Sequence, residues 1–388
     1  MRNALLSALF FLPGLMFSAT SLAGDNPLDQ GFSLQLDYQL SQDLPLRSGH
    51  QPGQDLTLRP DPQPDQNISF RPAYQLGQGW RRGNYYVSGY ASVMIDAPTG
   101  GPAALNLDDL SLFVGGNINK WANPFLEAEI SEHTVIQQGG GARGNGYIVI
   151  ERLYNDSMLL EHDTLRVGKI LAPVGNWNMI HAAPLVPTNT RPLTTFQGFS
   201  TYASGVSWLH DSENGVTPDW QLYWQPGSEL PRRPKDLAPR SFRNILGGHI
   251  NMPLGLVDKM GASLQHGKLT ETGESFTLYG FNVNKSFGRL KIESEAIASR
   301  WSGGVAPRAH DNESGIFGLV DYTMTSRWHG ILEWERYQDH EVDLPSRNIL
   351  AGISYKFSPI VWKLEYVRQM GESPYIPSGW LASFSTMF

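Results

Sequence analysis

From Asn84 to Phe388 apolar and polar positions alternate in runs of roughly ten residues that recur about every nineteen positions, the rhythm of tilted strands in a barrel. Trp328, Leu332 and Trp334 share one face of such a run, with His329, Glu333 and Glu335 on the other. Trp362, Leu364 and Tyr366 oppose Lys363 and Glu365; Leu290, Ile292 and Ala296 oppose Lys291, Glu293 and Glu295; Leu126, Ala128 and Ile130 oppose Glu127 and Glu129. The runs begin near Tyr85, Leu105, Phe125, Tyr147, Thr164, Thr201, Trp220, Asn244, Lys259, Phe276, Leu290, Ile316, Trp328, Asn348, Val361 and Trp380. That predicts about sixteen strands, with eighteen as the alternative count; both are even, as a barrel with its two ends on one side requires.

The connections alternate short and long. Short ones include the segments at Asn119, Phe287, Thr325 and Phe357; long ones start at Ala97, Glu132, Pro173, Gln225, Trp301, Gln338 and Glu372. A barrel with short periplasmic turns and long external loops sorts its connections this way, whereas a soluble sandwich has no reason to. The exception is the long supposed turn from His210 to Asp219. The expected fold is therefore all-β, a transmembrane antiparallel β-barrel over 84–388. Its apolar face meets lipid and its charges line a watery lumen, while Trp121, Tyr223, Trp224, Trp301, Tyr355, Phe357 and Trp362 suit interfacial girdles. The alternative is a soluble sandwich with the apolar face as core.

Ahead of the barrel, Met1 to about Ala23 reads as a secretory signal: Arg2, an apolar run from Ala4 to Phe17, then Ser21 and Ala23. Residues 24–83 form a polar N-terminal segment or linker. Within it Gln51 to Gln66 is rich in Pro, Asp and Gln, and Phe32 to Leu40 alternates as a short strand or an amphipathic periplasmic segment. The chain has no cysteine, which excludes a disulfide framework, a thiolate metal site and a lipid-modified cysteine. Only 17% of residues are charged, while Gly (40), Trp (11), Tyr (15) and Phe (17) are plentiful. A net charge of −7 argues against nucleic acid as a partner.

Two stretches carry a resemblance. The last run alternates Trp380, Ala382, Phe384, Thr386 and Phe388, and the chain stops on that aromatic. The passage Leu165 to Asn178, LRVGKILAPVGNWN, leads from a strand into about 28 residues, Pro173 to Ser200, with no alternation. The chain resembles Gram-negative bacterial outer-membrane porins over about Asn84 to Phe388, and Leu165 to Asn178 is similar to the phosphate-selective porin O and P family. The resemblance implies that Phe388, with Trp380 and Phe384, forms an assembly signal read by the barrel-assembly machinery. It also implies a homotrimer and an inward-folded constriction loop, Pro173 to Ser200. Irregular backbone at membrane depth is tolerated where it lines an aqueous cavity. Trp177, Met179, Ile180, Leu185 and Val186 are expected on the inner wall, with Arg191, His181, Asn176 and Asn178 toward water. Pro192 favours extended backbone at Arg191, which would hold its side chain off the loop's own turns.

The function implied is a water-filled channel for passive diffusion of small hydrophilic solutes or ions across the outer membrane. Arg166 and Arg191 would oppose lumenal Glu127, Glu129, Glu293, Glu295, Glu333, Glu335 and Glu365, with Lys363 among them. A substrate-specific channel, for an anion such as phosphate, is the alternative, and the many glutamates count against it. An outer-membrane hydrolase would use Glu293/Glu295 or Glu333/Glu335 as acid and base, but the pattern recurs on several strands, as a pore lining does. No nucleophile elbow, zinc-protease, Walker or dinucleotide motif stands in a supporting context, and the scattered histidines indicate no metal; no cofactor is expected. Arg232, Arg233, Lys235, Arg240 and Arg243 mark the fourth long loop, as a solvated, headgroup-touching segment or a substrate funnel.

Overall fold

The alternating runs fold as strands. The structure, a computed structural model, describes residues 73–388 apart from 76, 142–145, 213–216, 231–239, 256, 305–307 and 372–377. The signal, the run from Phe32 to Leu40, the stretch 51–66 and Arg232, Arg233 and Lys235 lie outside the described residues. Two short strands, β1 (Ala73–Gln75) and β2 (Gly79–Arg82), precede sixteen long ones. These are β3 (Tyr85–Pro98), β4 (Ala104–Gly116), β5 (Asn123–Gln137), β6 (Tyr147–Met158), β7 (Asp163–Leu171) and β8 (Tyr202–His210). Then follow β9 (Asp219–Ser228), β10 (Phe242–Pro253), β11 (Lys259–Leu269), β12 (Ser275–Phe287) and β13 (Leu290–Ser302). The last five are β14 (Asn312–Thr323), β15 (Trp328–Gln338), β16 (Ser346–Phe357), β17 (Ile360–Met370) and β18 (Gly379–Met387).

Each long strand pairs antiparallel with the next, and β18 closes the barrel on β3 from Gly379↔Pro98 to Met387↔Tyr90. Closure leaves the sheet no unpaired edge. β2 adds a small hairpin against the start of β3, with Trp80 opposite Val87. Strand starts differ from the alternation by four residues at most, at β14, which begins at Asn312 rather than Ile316.

Turns at one end are tight, such as 288–289 and 358–359, while the other end carries 172–201 and 229–241. The sorting is less sharp than expected. β3 and β4 run on through the supposed first long loop to leave only 99–103, and 270–274 is as short as a turn.

Facing follows the period of two. Trp334, Leu332 and Trp362 are exposed outward, whereas Glu333, Glu335, Lys363 and Glu365 are buried inside. Two girdle candidates turn the other way. Tyr223 shares the inward parity of Gln221 and Gln225, and its ring occupies the space left by its cross-strand partner Gly247. Trp301 shares the inward parity of Glu295, Ile297 and Ser299 and stacks on His340 at 4.2 Å.

Two of the register slips bear on the inward face. Opposite β3, Ser92 pairs with Asp109 but Val93 with Leu107, so Asp108 is an extra residue in β4. Opposite β5, Glu127 pairs with Arg152 but Ala128 with Ile150, so Glu151 is extra in β6. Such bulges re-aim side chains, and both of these add an acid beside the inward face.

Candidate functional site: the inward loop and two chambers

The segment 172–201 folds into the barrel. Its Val174, Trp177, Leu193 and Phe199 join the buried cluster built from the inward apolar residues of the wall, and Trp177 meets Phe317 edge-on at 5.5 Å. Only two single turns of 3-10 helix interrupt it, Trp177–Met179 and Leu193–Thr195. Its backbone N–H groups would be costly to bury without partners, and the wall supplies them. Glu295 Oε1 accepts from Asn176 N and Trp177 N, both at 2.7 Å. Thr194 donates to Glu335 Oε1 through its backbone N at 2.7 Å and its hydroxyl at 2.8 Å. Asn189 N donates to both oxygens of Glu365, at 3.0 and 2.9 Å. Ser263 and Gln265 accept from Gly175 N and Ser200 N. Gly175 is obligatory: its φ is +68°, and a Cβ there would stand 1.9 Å from Glu295 Oε2. Lys363 Nζ donates to the carbonyls of Ala183 and Thr188 at 2.8 and 2.9 Å, so the cation also serves as a loop clamp.

The loop is thus fastened to the β11–β18 wall, where Glu295, Glu335 and Glu365 are anchors rather than members of an open row of charge. Glu293 pairs with Lys291 at 2.8 Å, and buried Glu333 lies beside Glu335 and Glu365. Arg166 does not oppose the glutamates. It forks onto Asp156 at 2.7 and 2.9 Å and stacks on Tyr154, because Asp156 is its direct cross-strand partner.

Arg191 also departs from expectation. Instead of standing off the loop's turns, it folds back on the turn 193–195, donating to Thr195 Oγ1 at 3.1 Å and Thr195 O at 2.8 Å. Its Nη2 reaches Asn178 Oδ1 at 2.5 Å, and it lies over the Phe196 ring. The long side chain spans back across the turn that follows. Asn178 is buried rather than wet, because its Nδ2 ties the carbonyls of Ala172 and Thr201 across the loop's neck.

Two cavities lie against the opposite wall. The larger, about 290 Å³, is lined by Asp108, Asp109, Glu129 and Glu151 on β4–β6. Arg191, Lys363, His181, Asn189, Thr188 and Thr190 face them, with Val149, Trp177, Ala183, Val186 and Tyr202 completing the lining. Glu129 accepts from Ser111 at 3.0 Å and Tyr90 at 3.4 Å. The smaller, about 40 Å³, lies between the rings of Tyr90, Phe113, Phe125 and Tyr154 and the loop residues Met179, Ile180, Ala182 and Leu185. Those rings form a ladder across β3–β6 with centroids 5.8, 6.0 and 5.1 Å apart. Its charges, Glu127 and Arg152, are paired to each other. On β4 and β5 the rings lie nearer the tight turn 117–122 than the acids do, so the apolar cavity sits on the tight-turn side.

Asp108, Asp109 and Glu151 were missed as site residues. Their signal is a slip of apolar phase, from Leu105 and Leu107 to Leu110, Leu112 and Val114, and from Ile148 and Ile150 to Leu153. The slip marks the bulges that carry the acids.

Near the long-loop end Arg240 is largely withdrawn from solvent, its side chain 9% exposed. It donates to both oxygens of Glu313 at 2.8 and 2.9 Å, to Asp339 at 2.8 Å and to the Gln197 carbonyl at 3.2 Å. His340 Nδ1 meets Glu313 Oε2 at 2.7 Å, and the Tyr337 hydroxyl donates to Glu313. Donor atoms of Glu313, Asp339 and His340 lie within 4.8 Å of one another, but Arg240 already meets the two carboxylates, which disfavours a metal ion there. At the seam, Phe388 exchanges backbone hydrogen bonds with Gly89 at 2.9 and 3.0 Å, and Phe384 meets Trp362 edge-on while Trp380 points outward.

No protein-family model matches the chain, and no curated protein matches it in sequence. Solved structures do. Salmonella typhi OmpF, in complex with daunomycin, matches with a TM-score of 0.58 and 11% identity over 82% of this chain and 99% of that one. A loop-deletion mutant of OmpT, an outer membrane protein of Vibrio cholerae, gives 0.57 and 9% over 78% and 99%. An anion-selective porin from Comamonas acidovorans gives 0.55 and 12% over 78% and 99%. At these identities the likeness is one of fold: a closed sixteen-stranded antiparallel barrel of the outer-membrane porin type.

Proposed function

We propose that the chain forms an outer-membrane channel for passive diffusion of small hydrophilic solutes, with a preference for cations. The observation that carries this reading is the loop 172–201, bonded to one wall and leaving a polar chamber against the other. Irregular backbone inside a barrel is stable where the wall satisfies it and water meets its free side. The chamber holds four carboxylates, Asp108, Asp109, Glu129 and Glu151, against Arg191, Lys363 and His181. The four carboxylates outnumber the two strong cations, so the acids set the sign of the field that an entering ion meets.

An anion or phosphate channel has less support, because Arg166 and Arg152 of the wall are held in pairs with Asp156 and Glu127. A hydrolase has less still, since one glutamate of each candidate pair, Glu295 and Glu335, is bonded to loop backbone. One of the matched OmpT structures is described as a trimer form, and a homotrimer belongs to the proposal. Recording in planar bilayers tests it. A stable ohmic conductance with a reversal potential on the cation side under a KCl gradient is expected; a sealed membrane or an anion-side potential overturns it.

A further inference from the structure

We infer that three arginines on the outer surface of β15–β17, Arg336, Arg347 and Arg368, bind the phosphate headgroup of an anionic membrane lipid. The inference rests on the outer-membrane placement in the reading above and is independent of conduction. It starts from a register that sets like charges against each other. Arg336 pairs directly with Arg347 across β15 and β16. Arg347 pairs with Met370, which puts Arg368 on the diagonal, about 7–8 Å away along the backbone and within reach of a long side chain. All three share the outward parity of Trp334, Ile349 and Tyr366; Arg347 and Arg368 are exposed and Arg336 is half-buried.

Directly opposed like charges destabilise a sheet, and a guanidinium does not lose its proton to relieve them. Among the described residues none of the three has an ion-pair partner, and Glu333, Glu335 and Glu365 on the same strands are buried inside. A phosphate between the guanidiniums would accept forked hydrogen bonds and cancel the repulsion. The level of the arginines fits a lipid. Trp334 and Tyr366 lie two residues nearer mid-barrel than Arg336 and Arg368, about 7 Å along each strand. Tyr366 meets Trp380 edge-on at 5.1 Å, and all three rings are exposed outward. Outward aromatics of this kind mark the edge of the hydrocarbon, so the arginines stand among headgroups at the long-loop end. Beneath them exposed Leu332, Ile349 and Leu364 offer an apolar strip to the chains of the same molecule, which a free phosphate ion would not use.

The test counts lipid bound to the full-length protein in non-ionic detergent by native mass spectrometry, with dioleoyl phosphatidic acid and dioleoyl phosphatidylcholine as probes. Phosphatidic acid is expected to bind the more tightly. Arg336→Gln, Arg347→Gln and Arg368→Gln together should weaken it about fivefold for each arginine removed. Lys120→Gln, Arg289→Gln and Arg327→Gln take the same charge from the tight-turn end and should leave it unchanged. Equal weakening by both sets overturns the inference, because net charge alone would then explain the binding. Without lipid, the outward triple variant should unfold at or above the wild-type midpoint, since it removes repulsion; a lower midpoint overturns the claim that these charges oppose each other unrelieved. Displacement of phosphatidic acid by millimolar inorganic phosphate at constant ionic strength assigns the site to a free anion and overturns the lipid. A barrel that binds the lipid through these arginines yet passes no current loses only the channel reading. One that conducts without preferring phosphatidic acid loses only this inference.

Discussion

Glu335 accepts two hydrogen bonds from Thr194, with its Oε1 2.7 Å from the backbone nitrogen and 2.8 Å from the hydroxyl. The pair joins β15 to a loop turn 141 residues earlier in the chain, and Glu335 is fully buried. Glu335→Ala is expected to weaken loop attachment by roughly 1.5–3 kcal/mol, the worth of hydrogen bonds to a charged acceptor. The barrel should survive, since β15 keeps both neighbours. Hydrogen exchange at Thr194 should rise and single-channel current should become noisier. Wild-type protection at Thr194 would show that the carboxylate does not hold the loop.

Arg191→Glu changes the chamber's charge by two units. At ~8 Å and near-aqueous screening each unit is worth roughly 0.5 kcal/mol, so cation preference should grow about fivefold, and less at high salt. The substitution also breaks the bonds to Thr195 and Asn178, so a rise in noise should accompany it. A reversal potential that does not move would confine Arg191 to a structural role.

The bulge acids should act in the opposite direction. Neutralising Asp108 and Glu151 together, as Asp108→Asn with Glu151→Gln, removes two of the four chamber carboxylates. A several-fold fall in cation over anion permeability is expected at low salt. Unchanged selectivity would place the selective zone elsewhere in the barrel.

Arg240→Ala strips the only strong cation bonded to Glu313, a carboxylate with no exposed surface, among the described residues. Breaking one side of a buried pair costs about 3–5 kcal/mol. The loss should appear as a lower unfolding midpoint in heat or urea, with Arg240→Lys recovering only part of it because a point charge cannot fork onto Glu313. Equal midpoints in wild type and Arg240→Ala would mean that the latch contributes nothing.

Removal of Phe388 deletes the backbone exchange with Gly89 at the seam where β18 meets β3. Surface-assembled protein should fall sharply while the conductance of what remains is unaltered. In the same cells a protease site at Gly139 should be cut from outside and one at Gly288 should not, since the two lie at opposite ends of the barrel.

The sixteen long strands were legible in the sequence because a barrel residue meets one of only two environments, so a period of two marks them, whereas the short β1 and β2 fell in the segment read as a linker. Trp334 and Glu335 carry their facing in their own chemistry. Even the bulges at Asp108 and Glu151 are written as slips of that period. Tyr223 and Trp301 were not legible, since an amphipathic ring suits either face and only the parity of observed neighbours decides. What the tertiary structure alone decided is the use of the inward charges. Glu295 meets Asn176 across 119 positions and Glu365 meets Asn189 across 176, while Arg191 turns to Thr195 four residues away. No local pattern encodes which buried N–H a carboxylate will satisfy, because the choice belongs to the loop's path through the closed barrel.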